Sequence, residues 1–224
     1  MLPAPINALL CLLALASAVA CIVAYETEHD SIARFFKPLT MLFVLAVALQ
    51  PSLSTPPVYR ALLVAGLAFS LAGDVFLMLP SDRFIPGLAS FLIGHLLYIG
   101  AFASAAEPSL LTLLPLLAAA SVVYAVLHRH LGKLRGAVLL YIAAIVAMAW
   151  LAADRWLAVG QLGSLLACIG ALLFVVSDGA LAINRFARPF RGAQAVVLGT
   201  YFPAQMLIAL SIGVGESLVD WGVR

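Results

Sequence analysis

ALLVAGLAFSLAGDVFLMLP, residues 61–80, decides the fold: an apolar run that closes on Pro80 and carries one charge, Asp74. About twenty apolar residues in a helix cross the hydrocarbon core of a bilayer, so this run reads as a membrane span. LFVVSDGALAIN, residues 173–184, has the same character and holds Asp178. A carboxylate at bilayer depth costs about 2.5–3.5 kcal/mol on insertion scales, which makes each aspartate a candidate functional residue.

Working outward, the rest of the chain agrees. Its 224 residues are 65% hydrophobic and only 10% charged, with a mean hydropathy of +1.14. A soluble domain is nearer half apolar and a quarter charged, so the expected fold is an all-α polytopic membrane bundle. Spans fall at 6–25, 37–52, 58–79, 87–105, 109–127, 136–152, 157–183 and 194–214, about eight transmembrane helices in one integral membrane domain, 1–224. The second and sixth are short for a bilayer and call for tilt or snorkelling ends. No basic residue precedes Arg34, so the run 6–25 lacks the charged start of a signal peptide and reads as a spanning helix. Pro115 and Pro203 lie inside spans and are expected to kink them. Cys11, Cys21 and Cys168 are an odd count in apolar segments, which leaves no disulfide framework. The basic residues are scattered over short loops and form no nucleic-acid footprint.

Those basic residues orient the bundle. Nine of the twelve fall at the odd-numbered loops, from Arg34 and Lys37 to Arg185, Arg188 and Arg191; Arg60, Arg155 and Arg224 fall at even loops or a terminus. The positive-inside rule then places the odd loops in the cytoplasm and both termini outside, the arrangement expected in a bacterial inner membrane. The third and seventh spans run the same way. Asp74 lies six residues before Pro80 and Asp178 seven before Arg185, so each sits about 10 Å below the cytoplasmic surface.

The halves 1–106 and 107–224 share a faint pattern: GD-xx-LM…RF-x-PG…IGHLLY against SD-xx-LA…RF-x-RPFRG…LGTYFP. A parallel repeat would place a site between the halves. Apolar helices also produce chance matches of this kind, so duplication and coincidence both stand.

Two carboxylates facing one pocket can divide into acid and base, because burial and mutual repulsion favour a proton on one while the other stays ionised. Packing acids, paired with Lys37 or Arg185 to set helix orientation, are the plainer reading. His95 and Tyr98 share a helix face and can donate to a carboxylate or a substrate oxygen. Tyr201 and Gln205 form a second polar stripe, for which helix-to-helix hydrogen bonding is the bland alternative. Lys37, at the start of the second span in FKPLT, and Asn184 with Arg185, at the end of the seventh in INRF, fall at headgroup level, where the cations suit a phosphate or simply snorkel. The HRH run at 128–130 is too slight for a metal site. No GxSxG, HExxH, P-loop or dinucleotide glycine pattern occurs, and the hydroxyl residues within spans sit in no nucleophile motif. Acid–base chemistry by carboxylates remains.

FKPLT, SLAGDVFLMLP, FLIGHLLYIGAF and VSDGALAINRF, in that order along the chain, resemble the YhhN family of integral membrane proteins, which includes the animal lysoplasmalogenases. The most specific element is GD-xx-LM followed about twenty residues later by GHLLY. The resemblance implies an eight-helix hydrolase that cleaves the vinyl-ether bond of a lysophospholipid substrate, giving a fatty aldehyde and glycerophosphocholine or glycerophosphoethanolamine. It implies no metal and no organic cofactor, and it sets the family's acids on Asp74 and Asp178. Of the two, Asp74, with Phe69 and Phe76 beside it, is the first choice for the protonated acid. The alternative is a proton-coupled transporter of a small molecule or lipid, with the aspartates as a proton relay.

Overall fold

A computed structural model describes the backbone of residues 4–50, 55–80 and 83–214. It contains eight long helices: α1 (Ala4–Glu26), α2 (Asp30–Ala48), α3 (Pro57–Met78), α4 (Phe84–Phe102), α5 (Leu110–Leu127), α6 (Arg135–Val159), α7 (Leu162–Ala182) and α8 (Ala193–Gly213). All eight are long and apolar enough to cross a membrane. Large apolar side chains such as Leu12, Val58 and Leu111 stand 63%, 72% and 81% exposed. In water such a surface would aggregate; facing lipid it is ordinary.

Three antiparallel hairpins, α1–α2, α3–α4 and α7–α8, supply the densest packing, and α6 joins α4 to α7. In lipid the drive to associate comes from close packing and interhelical hydrogen bonds, and small residues allow it. Gly73 lies against the ring of Phe91, where a Cβ would come within 2.7 Å, and Gly170 meets the Ala204 carbonyl at 2.8 Å by the same measure. The hydroxyls of the spans serve the hairpins. Ser90 donates to the Phe69 carbonyl at 2.8 Å, Ser177 to Val197 at 3.1 Å and Ser17 to Phe36 at 3.2 Å.

Two helix ends differ most from the sequence expectation. The second helix begins at Asp30 rather than 37, so Lys37 lies two turns inside it, and Pro38 falls within the helix. The sixth runs to Val159 rather than 152. Asp154 and Arg155, expected as a loop, are buried within it at 1% and 0% exposure. Asp154 accepts the Ser109 N–H at 2.8 Å and the Thr112 hydroxyl at 2.5 Å, closing the first turn of α5. Arg155 stacks over Tyr59 with 4.5 Å to the ring centroid and donates to Ser104 at 3.0 Å. A charge can lie within a spanning helix when it faces the interior and has partners, and these do. Arg224, counted at a terminus, lies outside the described residues.

Helix α5 is the exception to the close packing. It rests chiefly on α6 and on the turn after α7, and Leu127 is its one buried residue among those described. Asp154 pins one end; the Leu127–Leu131–Val138 cluster, packed on Ala182, Ile183 and Phe186, pins the other.

Candidate active site

The penultimate turn of α3 presents Asp74 to the bundle interior at 1% exposure. There its carboxylate takes an ion pair from α2, Lys37 Nζ to Oδ1 at 3.0 Å. The other oxygen accepts the Tyr201 hydroxyl of α8 at 2.6 Å. Phe69 and Phe76 do not surround this acid: they point outward, 39% and 36% exposed. Its aromatic wall is Phe91 and Tyr201, whose rings meet edge-on at 5.9 Å. The earlier placement of Lys37 at headgroup level fails for a simple reason. Seven residues of helix precede it, about 10 Å along the axis, and only 8% of its surface is exposed.

Asp178 occupies the matching penultimate turn of α7 and has different company. The Tyr141 hydroxyl of α6 donates to its Oδ2, and His95 Nε2 of α4 stands 3.8 Å from the same oxygen. Among the described residues no lysine or arginine lies within ion-pair distance of it. His95 is 1% exposed, sits edge-on to Tyr141 at 5.1 Å and to Phe174 at 4.7 Å, and neither ring nitrogen has a hydrogen-bond partner among the described residues. Phe174 also meets Phe91 at 6.3 Å and Tyr201 at 5.5 Å. An aromatic cluster thus braces both acids.

The two carboxylates line one cavity of about 240 Å³, together with Lys37, Asn184, Arg185 and Tyr201. The chain after α7 completes its wall. Residues Ile183–Ala187 form a π turn, closed by the Arg188 N–H on the Ile183 carbonyl at 3.0 Å; such turns recur at functional sites. Asn184 Oδ1 accepts the Phe190 N–H at 3.3 Å and so holds the following loop. The Arg185 guanidinium lies over the Phe84 ring, 5.0 Å from its centroid. An amphiphile with an anionic headgroup would find cations and carboxylates within one chamber here.

Six of the nine residues singled out in the sequence therefore share the cavity. His95 reaches it only through Asp178. Tyr98 and Gln205 do not line it: the Tyr98 hydroxyl donates to Gln205 Oε1 at 2.8 Å, a buried bond between α4 and α8. The sequence reading missed Tyr141, and also Tyr25, Ser177 and Gln194, which line the same wall. A tyrosine in an apolar span carries no spacing signal; only its polar tip at the depth of Asp178 could have drawn attention.

The YhhN family model matches residues 32–212. A membrane protein named YhhN from Escherichia coli O6:H1 is 32% identical over 79% of this chain and 85% of its own length. Human lysoplasmalogenase TMEM86B is 42% identical over 68% of this chain and 64% of its own, and bovine lysoplasmalogenase TMEM86A 38% identical over 76% and 72%. No solved structure matches.

Proposed function

The chain belongs to the YhhN family, and on that premise we propose that this multi-pass membrane protein is a hydrolase that opens the vinyl-ether bond of lysoplasmalogens. The observation that carries the reading is the single cavity that holds Asp74, Asp178, Lys37 and Arg185. The names of the mammalian relatives support the substrate class.

Vinyl ethers hydrolyse when an acid protonates the β-carbon. An oxocarbenium ion results, water adds to the α-carbon, and the hemiacetal falls apart. The logic parallels glycoside cleavage by two carboxyl groups. The partners divide the roles. Asp74 faces an ammonium at 3.0 Å and keeps its negative charge; Asp178 meets a neutral phenol and a histidine and is the group that carries the proton. This reverses the preference for Asp74 as the acid, because a cation stands beside Asp74 and none lies within ion-pair distance of Asp178 among the described residues.

In the proposed cycle Asp178 gives its proton to the β-carbon. Asp74 stabilises the cation and takes a proton from the water that adds to the α-carbon. The hemiacetal hydroxyl then returns a proton to Asp178 as the carbon–oxygen bond to glycerol breaks, and Asp74 gives its proton to the departing oxygen. One water is consumed, and both carboxyl groups end as they began. The products are a fatty aldehyde and glycerophosphocholine or glycerophosphoethanolamine. Arg185, on the π turn at the cavity wall, receives the phosphate, while Lys37 is committed to Asp74.

The charge bias survives the corrected helix ends: Arg34, Arg83, Arg129, Lys133, Arg135, Arg185, Arg188 and Arg191 stand against Arg60. It supports a cavity opening toward the cytoplasm. Purified protein offered a lysoplasmalogen beside the matching ester lysophospholipid tests the proposal by mass spectrometry. Aldehyde release from the vinyl ether alone is the expected result. Cleavage of the ester alone, or proton-coupled lipid uptake into vesicles with no cleavage, overturns it.

A further inference from the structure

Asp178 borders two spaces. One is the polar cavity; the other is an apolar slot of about 90 Å³ between α4, α5, α6 and α7. The two share Leu77, Phe84, Phe91, Asp178 and Leu181 in their walls. Beyond Asp178 the slot is walled by Ala119, Ala120 and Val123 of α5 and by Ile142, Ile145 and Val146 of α6. Asp178 is the acid at the junction.

We propose that this slot binds the single aliphatic chain of the substrate, admitted from the bilayer alongside α5, with its first carbons beside Asp178. The proposal rests on the lysolipid reading of the polar cavity and adds the site of the chain. Three observations agree on the occupant. The slot is continuous with a chamber of cations and carboxylates, so the ligand that spans both is amphiphilic. Its small volume, lined beyond Asp178 by alanines and β-branched side chains, suits one unbranched chain rather than the paired chains of a bulk phospholipid. It also runs inward. Val146 lies five residues beyond Tyr141 on α6, about 7–8 Å deeper than the phenol that holds Asp178.

Helix α5 explains how a chain gets in. It is pinned at Asp154 and at Leu127, while no residue between is fully buried among those described. A second crevice of about 640 Å³, between α5 and α6, shares Ala120, Ile142 and Val146 with the slot and continues it along the lipid face. A chain lying in the bilayer therefore meets the slot from the side without leaving the hydrocarbon.

Two experiments decide it. Tryptophan at Ala120 fills the deep end of the slot from a loosely packed helix, where folding is least at risk. In Ala120→Trp, kcat/KM for a long-chain lysoplasmalogen should fall about tenfold or more, while a short-chain analogue changes less than about twofold, the scale on which apolar pockets discriminate chain length. Equal losses for both lengths, or none, overturn the slot as the chain site. The second experiment does not depend on cleavage. Full-length protein in nanodiscs is irradiated with a single-chain ether lysophospholipid bearing a diazirine midway along its chain. Adducts should map to Ala119, Ala120, Val123, Ile142, Ile145 and Val146 and be lost in Ala120→Trp. Adducts on the outward residues Leu111, Leu114 and Val122, or equal labelling of the slot by a diacyl phospholipid with the same diazirine, overturn the proposal. If the wild-type protein cleaves no vinyl ether, the hydrolase reading fails on its own and the labelling pattern alone judges the slot.

Discussion

Asp74 is wrapped by a lysine from α2 and a tyrosine from α8, whereas Asp178 meets a tyrosine from α6 and a histidine from α4. Their sequence surroundings, AGDVFLM and VSDGALA, are both apolar and share a leucine three residues after the acid. The partners are what differ: one acid is half of a buried ion pair, and the other has only neutral or titratable company. Two carboxylates in one cavity need such an asymmetry to act as base and acid rather than as equivalent groups. Each acid also draws support from the other half of the chain, since Tyr201 bonds Asp74 and His95 approaches Asp178.

The largest effect should come from breaking the ion pair. Asp74→Asn should cost about 3–5 kcal/mol of stability, because Lys37 is left buried and unpaired, and should abolish most aldehyde release. Replacing both partners, Lys37→Met with Asp74→Leu, should restore the denaturation midpoint of the detergent-solubilised protein without restoring activity. A double variant as unstable as the single one would remove the ion pair from the account.

Asp178→Asn should separate catalysis from stability. The rate should fall by about 10²–10⁴-fold, the range for a lost general acid, while the midpoint stays near that of the wild type, since Asn still accepts from Tyr141. Matching midpoint shifts for Asp74→Asn and Asp178→Asn would show that the two sites are alike after all.

Smaller changes sharpen the contrast. Tyr141→Phe removes the hydroxyl that holds Asp178 and should slow turnover by about 10-fold or more, the weight of a hydrogen bond to an ionisable group. Tyr201→Phe leaves Lys37 on Asp74, so its loss should be the lesser of the two when both are assayed side by side. Least of all, Tyr98→Phe should cost about 1 kcal/mol of stability by stranding Gln205, with turnover near that of the wild type, because neither residue touches the cavity.

Much of this was legible in the chain. The spans around Asp74 and Asp178 announced themselves through length and hydropathy, and eight helices follow from the same signal. Helix ends were misread where charge stood for loop. Asp30 and Arg34 read as a connection and Lys37 as a helix start, yet α2 runs through all three, and Asp154 with Arg155 read as a boundary inside α6. Paired charges do not stop a helix, and pairing is invisible until the partner's position is known. Tyr141 escaped for the same reason, and Tyr98 with Gln205 were drawn toward the site on helical spacing alone.

By itself the sequence determined a membrane bundle, the number of its spans, and two acids near one end of parallel helices. Hydrophobic run length and charge bias along the chain are one-dimensional quantities, so they survive without a structure. Which residues face each acid was decided by the rotation of each helix about its axis. Spans apolar on every face carry little amphipathic signal to set that rotation. Close packing at Gly73 and Gly170, and hydrogen bonds between helices, set it instead. The 127-residue separation between Tyr201 and Asp74 is closed only in three dimensions.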